Sequence, residues 1–126
     1  MSLKKTFLSS AAALLVAVTA TFPVVAHAVD RDFTVRNDVG KSLLRIYCSP
    51  STDRHWGSDW LGEDLLETDT SVTLRFDRSE YPDECVFDVK VVDGDGTTSI
   101  VHNIDLCTIT TLTFSSSAGR VVASSR

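Results

Sequence analysis

The sequence predicts an all-β protein: a single antiparallel β-sandwich of about seven short strands, topology unspecified, preceded by a cleaved signal peptide. Three observations lead there. Apolar residues alternate with polar ones over most of residues 29–126, turn residues interrupt them at short intervals, and no long segment there shows helical spacing.

Residues 1–28 read as the signal peptide. Lys4 and Lys5 supply its positive start, Ala11 to Val18 its apolar stretch, and Ala26-His27-Ala28 a small-x-small cleavage site before the polar Val29-Asp30-Arg31-Asp32. A retained membrane anchor is the competing assignment for Phe7 to Val25. Ser9, Ser10, Thr19, Thr21 and Pro23 interrupt that stretch, which favours cleavage. The expectation is an exported bacterial protein, periplasmic or secreted, with residues 29–126 as one β-sandwich domain and no membrane insertion after cleavage.

The strands follow in order. Phe33 and Val35 alternate with Thr34 and Arg36, and Asn37-Asp38-Val39-Gly40 ends that run. Leu44, Ile46 and Cys48 share one face of a second strand, closed by Ser49-Pro50-Ser51. Val72, Leu74 and Phe76 form a third, and the polar stretch from Asp77 to Glu84, broken by Pro82, cannot continue it. Cys85, Phe87, Val89 and Val91 form a fourth. Asp93-Gly94-Asp95-Gly96 is the strongest hairpin signal in the chain, because Asp-Gly pairs tolerate the positive φ of tight turns; a fifth strand runs from Thr97 to about Ile104. Thr108 to Ser115 and Arg120 to Ser124 complete the set, with Ser116-Ser117-Ala118-Gly119 between them.

Thr52 to Thr68 breaks this rhythm and is the longest connection. It holds Trp56 and Trp60, the only tryptophans, together with His55, Asp59, Leu61, Leu65 and Leu66. Long loops in compact domains are packed on themselves or functional. In the first case Trp56 and the three leucines cap an open end of the sandwich; in the second Trp56 or Trp60 stays exposed beside His55 and Asp59 as a recognition surface. Asp59 and Gly62 are also placed to cap a short helical turn.

The three cysteines, Cys48, Cys85 and Cys107, leave one unpaired, and three pairings are open. Cys85 with Cys107 is favoured, since both lie in the densely β-patterned C-terminal half. Cys48 is then a small buried side chain at a strand end, a reactive free thiol, or the link of a Cys48-bridged homodimer.

Phe33-x-Val35-x-Asn37, Tyr47-Cys48-Ser49-Pro50, Trp56-Gly57-x-Asp59-x-Leu61-Gly62, Cys85-x-Phe87-Asp88-Val89, Asp93-Gly94-Asp95-Gly96 and Asn103-Ile104-Asp105-Leu106-Cys107 resemble a group of small exported bacterial proteins of unsettled function. Automatic pipelines have at times labelled that group "argininosuccinate lyase". The resemblance implies a secreted β-domain with a Cys85–Cys107 type of pairing. It supplies no catalytic residues, and nothing in this chain matches the large helical tetramers of true argininosuccinate lyases.

Several function classes are disfavoured. A net charge of −5, more negative once Lys4 and Lys5 leave, with scattered basic residues opposes binding to nucleic acid or anionic lipid. Asp93-Gly94-Asp95-Gly96 fails as an EF-hand loop, because its sixth position is Thr98 and its twelfth Ile104. His55 and His102 lack companions at metal spacing, Gly-x-Ser-x-Gly is absent, and a Cys48–His55 pair has no orienting residue. No metal or other cofactor is expected. The leading expectation is a non-enzymatic module that binds a partner protein or cell-envelope component through the Trp56–Gly62 loop, with His55, Trp56, Asp59 and Trp60 as its contact residues. A small hydrolase or lyase using His55 with Asp59 or another carboxylate, and a structural dimer joined through Cys48, are the alternatives.

Overall fold

The computed structural model describes residues 31–76 and 80–126, so the expected signal peptide, the expected cleavage site and Asp77 lie outside the described residues. Seven strands form: β1 (Phe33–Asp38), β2 (Leu43–Pro50), β3 (Thr70–Leu74), β4 (Val86–Asp93), β5 (Thr98–Asp105), β6 (Thr111–Ser117) and β7 (Arg120–Ser125). They make two sheets, one ordered β3-β1-β6-β7 and the other β2-β4-β5. Phe33, Val35, Leu112 and Phe114 of the first sheet and Ile46, Phe87, Val89 and Val91 of the second are fully buried, as period-two alternation requires of two sheets burying one face each.

Two strand assignments need correction. The sandwich is not wholly antiparallel, because β1 and β6 pair in parallel, Val35 opposite Leu112. A parallel pair needs a long crossover, and the chain supplies one by building the entire second sheet between those strands. In β2 the inward residue is Leu43 rather than Leu44, since an irregularity between Leu43 and Arg45 shifts the pleat by one residue. The third strand stops at Leu74, yet Phe76 remains buried, its N–H donating to Asp32 Oδ1 at 2.7 Å.

The Asp93–Gly96 hairpin forms, with its positive φ at the second glycine: Gly96 adopts 82°. Asp93 is 2% exposed, and its Oδ1 accepts the amides of Asp95 (2.9 Å) and Thr97 (3.0 Å). Buried Asn37 staples the first turn similarly. Its Nδ2 donates to the carbonyls of Lys41 and Leu66, and its Oδ1 accepts from Val39.

Cys85 and Cys107 are joined in a disulfide, Cα to Cα 5.3 Å, which ties the entry of β4 to the turn after β5. This overturns the Cys48-linked homodimer. Both disulfide sulfurs are consumed within the chain, and Cys48, 5% exposed on the inner face of β2, presents no thiol at the surface for a second copy.

Candidate functional site

The 52–68 connection is packed in part and open in part, with different residues in each role. Leu66 pairs with Leu43 across an antiparallel bridge, and the Trp60 N–H donates to the Ile46 carbonyl at 2.8 Å. Asp59 completes the attachment, its Oδ1 accepting the amides of Ile46 (2.9 Å) and Leu61 (3.0 Å). Leu61 and Leu66 are buried against the core, whereas Leu65 is 55% exposed. The free edge of β2 is thereby covered by its own following loop. The short helical turn expected at Asp59 and Gly62 does not form; Asp59 instead closes a local turn through the Leu61 amide.

Beyond this attachment the tryptophans remain open. Trp56, Ser58, Asp59 and Trp60 line a cleft of about 250 Å³ together with Glu80, Tyr81 and Cys48. Trp60 packs on Phe76 with ring centroids 5.0 Å apart, so its inner face is held by the core. Trp56 is steadied from outside, where Lys90 Nζ lies 4.9 Å from its ring centroid and 4.6 Å from that of Tyr47. Gly57 supports the turn between the two rings at φ 76°.

Glu80 and Tyr81 are positioned by a residue about fifty positions earlier in the chain. Arg31 is 3% exposed, and its guanidinium lies over Phe76 and Phe87, 5.3 and 5.9 Å from their centroids. It donates to the carbonyls of Glu80 (2.8 Å), Tyr81 and Glu84 (3.4 Å). This clamp holds Tyr81 at φ 52°, a left-handed conformation costly for a bulky residue. Arg31 Nε is buried with no hydrogen-bond partner among the described residues, and the rest of the guanidinium is held by carbonyls and aromatic faces.

Of the four residues named from the sequence, Trp56, Asp59 and Trp60 line the cleft and His55 does not. The His55 side chain is 91% exposed, with Nδ1 3.4 Å from Asp53 Oδ1. Burial, helped by the charge of Asp88, pushes the Cys48 thiol up to about 12, which holds it as an inert thiol. Glu80, Tyr81 and Arg31 escaped sequence reasoning. They lie outside the tryptophan loop, on either side of it in sequence, and no local pattern links them to it.

Two further clusters bear on chemistry. Asp88 accepts from Ser51 Oγ (2.6 Å) and the Asn103 amide (2.9 Å), and His102 Nδ1 stands 3.0 Å from its other oxygen. A bulge makes this geometry: His102 and Asn103 both oppose Asp88, with Asn103 at φ 60°. Ser51 bonds the carboxylate rather than the imidazole, so the three do not form a nucleophile–base relay. Cys85, Asp105 and Cys107 bring their ligand atoms within 4.8 Å of one another, but both sulfurs are committed to the disulfide and offer no thiolate. In the hairpin, Asp95 Oδ2 pairs with Lys41 Nζ at 2.6 Å, and the first carboxylate of the Asp-Gly-Asp-Gly motif, Asp93, is engaged by the amides of Asp95 and Thr97.

Comparison of the chain with protein-family models, with curated proteins and with solved structures finds no match.

Proposed function

We propose that the protein is an exported, non-enzymatic binding module, and that the cleft between Trp56, Trp60 and Tyr81 is where it engages a partner protein or a cell-envelope component. The observation that carries this reading is the division of the 52–68 loop: its leucines and Asp59 anchor it, and its two tryptophans border open space. Aromatic side chains with polar groups beside them supply contact area at little entropic cost, and here the rings are fixed in advance by Phe76 and Lys90. Export is supported by the leader pattern of residues 1–28 and by a disulfide, which persists in oxidising compartments.

The test places a photo-crosslinking residue at Ser58 in the producing cell, with Thr108 at a distance as control. A defined adduct is expected at Ser58, absent at Thr108, and lost when Trp56→Ala is added at unchanged melting temperature. Equal labelling from both positions, or an adduct that survives Trp56→Ala, refutes the assignment of the cleft.

A further inference from the structure

We propose that the outer edge of β3 and the groove beside it accept an extended, basic segment of a partner polypeptide as an added strand. This goes beyond the Trp56 cleft, from which the groove is separated by Trp60.

The pairing phase of β1 determines which backbone groups of β3 are free. Thr34 N–H donates to the Thr110 carbonyl at 2.9 Å, so its backbone faces β6. Backbone direction alternates along a strand, and Phe33, Val35 and Asn37 therefore face β3. Their partners are Leu74, Val72 and Thr70. Ser71 and Thr73 then turn their N–H and C=O groups outward. The Oγ1 atoms of Thr34 and Thr73, 3.1 Å apart, fit the close approach of a pair that shares no backbone bonds. β3 ends its sheet, and no described strand lies beyond it.

Edge strands are commonly protected by Lys, Pro, a bulge or a covering segment. β2 has the covering loop. Thr70-Ser71-Val72-Thr73-Leu74 has neither Lys nor Pro, and its register with β1 is regular throughout. Beside it opens a groove of about 560 Å³, bounded by Val72 and by residues 60–67 of the loop. The groove combines one apolar anchor, Leu65 at 55% exposure, with Glu63, Asp64 and Glu67, none of which has a described cation within salt-bridge distance. An extended segment alternating basic and apolar residues matches both features. Its backbone pairs with Ser71 and Thr73, the apolar side chains on one face meet Leu65, and the long basic side chains on the other reach the acidic rim.

The probe is the capped peptide Lys-Thr-Lys-Leu-Lys-Thr-Lys, compared with the same sequence N-methylated at the amides that would face the edge. Charge and side chains are identical, so only strand pairing differs. Binding by the unmodified peptide is expected to be at least about tenfold tighter, and to slow hydrogen exchange at the amides of Ser71 and Thr73. Thr73→Pro removes one outward donor and no backbone bond to β1, losing only the exposed hydroxyl contact with Thr34, and should weaken binding similarly while the protein stays folded. Glu63→Gln with Glu67→Gln should lower affinity and its salt dependence while leaving the exchange pattern in place. Failure of the unmodified peptide to bind, equal affinity for both peptides, or protection located away from β3 overturns the proposal. So does self-association of the free protein that protects the same amides, which would make this edge an interface between copies. A peptide that binds normally to Trp56→Ala protein keeps this result distinct from the fate of the cleft.

Discussion

Asp88 shows how one carboxylate can join three strands. Burial alone would raise its pKa, but hydrogen bonds from Ser51, the Asn103 amide and His102 outweigh burial and hold it below the usual carboxylate range. A carboxyl group whose pKa is lower folded than unfolded stabilises the fold above its unfolded value, and that contribution disappears as pH falls through the folded value. Urea unfolding from about pH 7 down to about pH 2 should therefore show stability falling most steeply below about pH 4, and Asp88→Asn should flatten that limb. An unchanged acid limb in the variant would mean that other carboxylates dominate it. Parity placed Cys48 inside correctly from the sequence, because Ile46 and Cys48 follow the bulge rather than span it. Parity failed at Leu44, which is the extra residue of the bulge. It gave no warning that Arg31 and Asn37 would be buried, since a polar residue at an inward position is readable only once its partners are known.

At the scale of elements, the hairpin joining β4 and β5 depends on Asp93 as much as on glycine. Asp93→Ala leaves the amides of Asp95 and Thr97 without their acceptor and should destabilise the fold by about 1–3 kcal/mol in denaturant titration. Asp93→Asn, which keeps an acceptor oxygen, should recover most of the loss. The Asp-Gly pattern made this hairpin legible because its cause is local: a backbone needing positive φ and a side chain reaching two to four residues ahead. The tryptophan loop was legible only in part. Its composition marked Trp56, Asp59 and Trp60, and all three line the cleft. His55 is adjacent in sequence but directed to Asp53 and solvent.

At the scale of the whole molecule, the Cys85–Cys107 bridge spans 22 residues, the entire β4–β5 hairpin. Closing a loop of that length restricts the unfolded chain, and replacing both cysteines by Ala should lower unfolding free energy by about 3 kcal/mol while leaving Cys48 unmodified by alkylating reagents in the native state. Denaturant titration of the variant beside the reduced wild type checks this. By itself the sequence determined the β class, the number of strands, the position of the tight hairpin and the inward face of most strands, because each follows from alternation or turn chemistry within a few residues. The tertiary structure alone decided the parallel match of β1 with β6, the order of the sheets, the edge left open at β3, and the meeting in one cleft of Trp60 with Glu80 and Tyr81, which Arg31 holds. Alternation states which face of a strand is buried and is silent about its neighbour; those pairings depend on contacts between segments tens of residues apart, where only the packing of the complete chain selects one arrangement.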